Sequence, residues 1–212
     1  MTTYDVLERA IASAVEDQPS LMVARAEWER LAGIVHSDEA LYEERAAAFL
    51  EWFLIDYRAD DPDRPTAIDR QIARQIGAAD GTERVALSAL AASQCSVFQV
   101  RELFPDGLLL DDLWGGGLFR VRERRHLAGL APGELFEARL VADFASPPDL
   151  VFARTFCFHP REAEEGVRKQ IEAARRAGER REQLLFCLLR LRVRCERYRH
   201  VAPLRVYNAG ET

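Results

Sequence analysis

Cys95-Ser96-Val97-Phe98-Gln99-Val100-Arg101-Glu102-Leu103, closed by Pro105-Asp106-Gly107, is where the chain changes its period. Upstream, apolar residues recur every three or four positions; here they roughly alternate, as in a half-buried strand. Pro-Asp-Gly then supplies the residues of a tight reverse turn. Leu108–Leu113 reads as the return strand, and Trp114-Gly115-Gly116-Gly117 as a second turn. Leu118–Arg124 alternates partly. Ala131-Pro132-Gly133-Glu134 leads into Leu135–Val141, and Ser146-Pro147-Pro148-Asp149 turns the chain into Leu150–Phe158. Five short strands joined by Gly/Pro turns predict a small antiparallel barrel of SH3-like or OB-like kind. A curled five-stranded sheet packed on helices is the alternative.

Working back from this hairpin, the first ninety-odd residues read as helices. Tyr4–Val15 carries Val6, Leu7, Ala10, Ile11, Ala14 and Val15 in a helical stripe. Ser20 is expected to cap a second helix running to Leu31 and ended by Gly33. A third is expected over Asp38–Tyr57, with Asp38 and Glu39 in its first turn, where negative charge suits the helix dipole. It becomes apolar almost all round at AAAFLEWFLIDY, which marks a central buried helix anchored by Trp52 and Phe53. An acidic break, Asp60–Pro65, follows. Thr66 opens a short helix with Ile68, Ile72 and Ile76 on one face, closed by Gly77. Asp80-Gly81-Thr82-Glu83 then has capping-box spacing before a fifth helix.

Working forward, Pro160 suits the first position of a helix, and Gly178 divides that helix from the next. Glu179–His200 is apolar and basic, with Leu184, Leu188, Leu191 and Cys195 along one stripe. Within it Leu189–Cys195 alternates strictly, which is strand period, but its flanks are good helix formers and a helix is expected. Asn208–Thr212 reads as a loose tail. The fold class expected is α+β: a helical bundle over residues 1–94, the barrel over 95–159, and basic C-terminal helices over 160–212 that pack back on the body.

Composition excludes several classes. The 212 residues are 48% apolar and 30% charged, which rules out collagen, a coiled-coil rod, a disulfide miniprotein and a wholly disordered chain. The opening MTTYDVLERAIASAVEDQP lacks the basic start and apolar run of a secretory signal. Phe49–Ile55 and Leu184–Leu191 fall short of the ~20 residues a spanning helix needs, so no membrane association is expected. Cys95, Cys157, Cys187 and Cys195 are widely separated in apolar surroundings, as reduced thiols of a cytoplasmic protein would be.

Motifs of chemistry are few. The sequence contains no Walker-type G-x-x-x-x-G-K, no G-x-S-x-G elbow and no H-E-x-x-H pair. The triple glycine lacks the following helix of a dinucleotide site. His36, His126, His159 and His200 each stand alone. Cys157 and His159 share one side of a strand, yet nothing resembles paired C-x-x-C knuckles, and neither a metal nor a cofactor is expected. Asp111 and Asp112 are adjacent, so on a strand they point to opposite faces; they read as a solvated strand end. Asp60–Asp63 lacks the glycine and spaced oxygens of a calcium loop. No catalytic residue is nominated.

Charge placement says more. All but one of the 29 basic residues are arginine, Lys169 being the exception, a skew spread along the chain like a codon bias. The net −6 conceals an acidic front of −9 over residues 1–100, −2 over residues 101–159 and a basic tail of +5 over residues 160–212. On a helix Arg190, Arg194 and Arg197 fall on one face, and Arg192 and Arg199 on another. Three readings follow. The tail complements its own acidic bundle; or it faces a protein partner or a second copy; or, with Arg120, Arg122, Arg124 and Arg125 of the barrel, it tracks the phosphates of a nucleic acid. The acidic total opposes the last, while a small barrel beside a basic helix favours it.

Phe49-Leu50-Glu51-Trp52-Phe53-Leu54-Ile55-Asp56-Tyr57, followed further on by Ser93-Gln94-Cys95-Ser96-Val97-Phe98-Gln99-Val100, resembles a group of uncharacterised bacterial proteins. In that group a W-F-L-x-D-Y helix precedes a small β-region, and some members carry a SEC-C-type zinc motif. That cysteine cluster is absent here, so metal binding is not carried over. The resemblance supports the helix-then-barrel order and implies no activity. The function expected is that of a non-catalytic cytoplasmic regulatory or scaffolding protein acting through protein–protein contacts; the alternative is a nucleic-acid-associated protein.

Overall fold

The computed structural model describes residues 2–59, 61–76, 81–123 and 130–209. All five expected strands form: β1 (Gln94–Phe104), β2 (Gly107–Asp112), β3 (Leu118–Arg122), β4 (Leu135–Ala142) and β5 (Leu150–His159). They lie in one five-stranded sheet in the order β1-β2-β3-β5-β4, and β4 pairs back to β1, so the sheet closes on itself. Every pairing is antiparallel except β3 with β5, which meet in parallel at Val121 and Leu150. The sheet is therefore mixed, and the antiparallel expectation is corrected. The reason is parity. Directions can alternate all the way round a ring only if the strand number is even, so five strands must leave one parallel seam.

Strand alternation sets what lies inside the ring and outside it. Phe136, Ala138 and Leu140 of β4 point inward and pack with Phe98, Val100, Leu108, Leu110, Val121 and Phe152. The intervening positions of β4 serve the outer layers: Leu135 joins the core of the C-terminal helices and Val141 that of the N-terminal bundle. Glu137 and Arg139 lie between them and are also buried.

The N-terminal helices are α1 (Thr3–Ala14), α2 (Gln18–Ala32), α3 (Tyr42–Ile55), α4 (Ala67–Arg74) and α5 (Thr82–Ala91). Thr2 with Asp5, and Thr66 with Asp69, form reciprocal capping boxes on α1 and α4. Three expected starts shift. Asp17, not Ser20, caps α2, its carboxylate accepting from the Ser20 amide at 3.3 Å. The third helix begins at Tyr42, after a turn in which the Tyr42 amide donates to the Glu39 carbonyl and the Glu39 side chain pairs with Arg45 and Arg197. α5 starts after Gly81 with no side-chain cap; Asp80, Asp60 and Gly77 lie outside the described residues. Ile76 is exposed rather than on the buried face with Ile68. Around α3, Phe49, Trp52, Phe53, Leu54 and Ile55 are buried as expected.

Pro160 precedes a 3-10 turn, Arg161–Ala163, and α6 (Glu164–Ala177) follows, ended by Gly178 in the left-handed region at φ 70°. Next come α7 (Arg181–Arg197) and α8 (Pro203–Asn208); α8 was not expected from the sequence. The alternation in α7 has a physical meaning on a helix. At about 100° per residue, Leu189 and Val193 lie near one another, and Leu191 and Cys195 lie almost opposite them. Both sides are covered: Phe186 and Leu189 enter the bundle core, while Leu184, Leu188, Leu191 and Cys195 enter a second core with α6 and α8. α7 is a middle layer, and its arginines occupy its two edges.

α6 and α8 meet at Gly166, where an added Cβ would stand 2.4 Å from the Cβ of Tyr207. Gly166→Ala gains helix propensity but overpacks this contact. The expected net result is a Tm lower by about 2–8 °C, read by circular dichroism. An unchanged or raised Tm would show that Tyr207 gives way freely.

Candidate functional site

Charge is buried where α3, β4, β5 and the start of α7 converge. Glu51 sits in the most apolar turn of α3, so the helix carries a carboxylate into the core against the barrel. Its Oε1 accepts from the Arg154 amide at 2.9 Å, the Thr155 amide at 2.8 Å and the Thr155 hydroxyl at 2.7 Å. Burial pushes the Glu51 carboxyl up, and Arg139 together with those three donors opposes the rise. Arg139, 3% exposed, has Nε 3.7 Å from Glu51 Oε2, donates from Nη2 to Asp56, and donates from Nη1 to Ser93 Oγ at 3.2 Å. One guanidinium thus ties α3, the end of α5 and β4 together.

A second buried set lies further along β4 and β5. His159 Nε2 is 3.2 Å from Glu137 Oε1, close but not aligned for a direct hydrogen bond. Its Nδ1 shares a hydrogen bond with the Tyr207 hydroxyl at 2.7 Å. Burial pushes both the Glu137 carboxyl and the Tyr207 phenol up. Burial likewise raises the thiols of Cys95, Cys157 and Cys195, which holds them as protonated, poorly nucleophilic groups at neutral pH.

Between these sets and α7 is a cavity of about 510 Å³. Trp28, Trp52, Phe186 and Leu189 form its apolar wall; Glu51, Asp56, Arg139, Arg181 and Glu182 stand on its polar side. Trp28 lies 5.4 Å from Trp52 and 5.1 Å from Phe186, ring centre to ring centre. Trp52 Nε1 donates to Glu182 Oε1 at 2.7 Å, fastening α3 to the first turn of α7. The stretches 49–57 and 93–100 meet here: Glu51, Trp52, Ile55 and Asp56 come from one, Ser93, Gln94 and Cys95 from the other.

The residues nominated from the sequence lie elsewhere. Arg190 donates to the Leu31 carbonyl near the end of α2. Arg197 pairs with Glu39, which also holds the buried Arg45; although burial raises the Glu39 carboxyl, Arg197 and Arg45 hold it below its usual range. Arg194 is half-buried. On the other edge of α7, Arg192 donates to the Phe158 carbonyl at 2.6 Å and pairs with Glu196 at 2.6 Å, and Arg199 reaches Glu196 at 2.7 Å. On the barrel, Arg120 pairs with Asp106 at 3.4 Å and Arg122 with Asp149 at 3.0 Å; Arg124 and Arg125 lie outside the described residues. The two edges of α7 do not come together as one basic surface.

One expectation is overturned. Asp112 is not a solvated strand end but is buried, accepting from Ser96 Oγ at 2.6 Å and from the Trp114 amide at 3.0 Å. It holds the turn into the triple glycine. Sequence reading also missed Glu51, Glu137 and Arg139. Their signal was present as lone charges inside the apolar runs AAAFLEWFLI and LFEARLV, but a strand whose alternate residues are charged looks like one with a solvated face. Among the described residues no cluster of three His, Cys, Asp or Glu is placed to hold a metal ion, and no helix is long and apolar enough to cross a membrane. No protein-family profile, curated protein or solved structure matches the chain.

Proposed function

We propose that the chain is a non-catalytic regulatory or scaffolding protein of the cytoplasm that acts through contact with a protein partner or a second copy. The observation that carries this reading is the state of its reactive groups. Three of its thiols are raised by burial, and the side chain of His159 is sealed between Glu137 and Tyr207. Binding is what its surface is free to do. Arg197 and Arg199, with side chains 49% and 73% exposed, mark the end of α7 as the contact. The paired charge reversal Arg197→Glu/Arg199→Glu is expected to lower the Tm by about 5 °C or less, chiefly through the largely buried Glu39 that Arg197 faces, and to abolish the dimer or partner complex in light scattering. A wild-type protein that is monomeric and recovers no partner overturns the proposal, as does a complex indifferent to both reversals.

A nucleic-acid reading has one observation in its favour. The order β1-β2-β3-β5-β4 with its parallel seam fits the OB-like alternative, whose second and third strands commonly bind oligonucleotides, and Arg120 stacks over Phe104 at 5.2 Å. Against it, Arg101, Arg120 and Arg122 each pair with an aspartate of the same face. Affinity for a labelled single-stranded oligonucleotide that falls steeply with salt would favour this reading; a flat response is expected.

A further inference from the structure

We propose that the cavity between α3, β4 and α7 binds a small organic acid, a carboxylate carried on an aromatic body. The site stands independently of the contact surface on α7. Its wall carries more unpaired buried donors than acceptors. Trp28 Nε1, Arg139 Nε and Arg181 Nε are buried N–H groups without a hydrogen-bond partner, and all three belong to side chains that line this cavity. Trp28 and Arg139 are 4% and 3% exposed. Of the carboxylates on the wall, Glu51 takes Thr155 and two amides through Oε1 and stands 3.7 Å from Arg139 Nε through Oε2, beyond hydrogen-bond distance; Asp56 pairs with Arg139, Glu182 accepts from Trp52, and Glu137, whose Oε1 makes no hydrogen bond, lies 3.2 Å from His159 Nε2.

Buried donors demand acceptors, and a carboxylate supplies two oxygens able to take several N–H groups, with a planar match to guanidinium. The rings of Trp28, Trp52 and Phe186, which also line the cavity, suit an aromatic body rather than a bare inorganic anion. A volume of about 510 Å³ is that of a site for a small organic molecule. Such a ligand would touch the bundle, the barrel and α7 at once, so its binding reports on, and strengthens, the junction of the three layers.

The test is a fluorescence titration of the full chain with phenylacetate, using Trp28 and Trp52 as built-in reporters. Saturable quenching is expected. Phenylacetamide, the same ring without the charge, should bind at least about tenfold more weakly, the worth of one charge-assisted hydrogen bond. Arg181→Gln should weaken phenylacetate by about tenfold for the same reason. Ala48→Phe, which places a ring in the cavity, should abolish quenching while the circular dichroism spectrum is retained. Quenching that does not saturate at millimolar phenylacetate, equal affinity for acid and amide, or undiminished binding by a folded Ala48→Phe protein would each overturn the proposal.

Discussion

Arg139→Met is expected to lower the Tm by about 10 °C at pH 7, the equivalent of about 3–5 kcal/mol. The loss comes less from a missing attraction than from what is left behind. Glu51, 4% exposed, would be left in the core with only Thr155 and two amides to hold its carboxyl, and Asp56 would lose its guanidinium partner. Because the attraction of Arg139 restrains the Glu51 carboxyl from rising further, its removal pushes that carboxyl higher. A group whose folded-state pKa exceeds its unfolded value contributes stability below the unfolded pKa and loses it as pH rises through the folded one. The deficit of Arg139→Met should therefore be smaller at pH 5 than at pH 8. Adding Glu51→Gln should recover part of the loss, since a neutral buried pair needs no counter-charge. Thermal melts of the single and double variants decide the matter; a single variant within about 2 °C of wild type would show that the pair is not an essential junction.

Phe136→Ala is expected to cost about 3–5 kcal/mol and to lower the urea midpoint without changing the steepness of the transition. Phe136 is fully buried at the middle of the ring of strands. Its ring is 6.3 Å from Phe98, 5.9 Å from Phe152, 5.7 Å from Phe156 and 5.4 Å from Phe158. No single neighbour can refill that space without leaving its own contact. The informative control is where the loss is seen. Val141, Ala153 and Cys157 on the outside of β4 and β5 belong to the bundle core, so the tryptophan signal of the bundle should melt together with the sheet. Two separate transitions would contradict that shared core.

Local punctuation was the most readable part of the chain. Pro105-Asp106-Gly107, Pro147-Pro148-Asp149 and Gly178 act within a few residues, and each marks an element boundary that the structure keeps. Long-range closure was not readable in this way. Nothing in Leu150–Phe158 says that it will slot between β3 and β4, because insertion depends on which edge remains open after the earlier strands pair. The same limit hid the candidate site. Glu51, Arg139 and Asp56 are 83 or more positions from completing one another across the helix–strand boundary, and only their meeting turns separate charges into a network. α8 was missed for a simpler reason: Pro203–Asn208 is too short to show a helical period, and Tyr207 is held by His159 and the glycine of α6. Arg190, Arg192, Arg194 and Arg197 lie on α7 as read and Arg199 just beyond its end, but a helix covered on two sides leaves only its edges for charge.

The sharing of α7 between two cores also orders events during synthesis. When residue 94 has been made, Trp28 and Trp52 are present but Phe186 and Leu189, which complete their surroundings, are not. At about 5–20 residues per second the ribosome needs roughly 5–20 s to supply them. Through that interval the acidic front of the chain carries an unfinished aromatic surface, with only its own negative charge to keep neighbouring nascent chains apart.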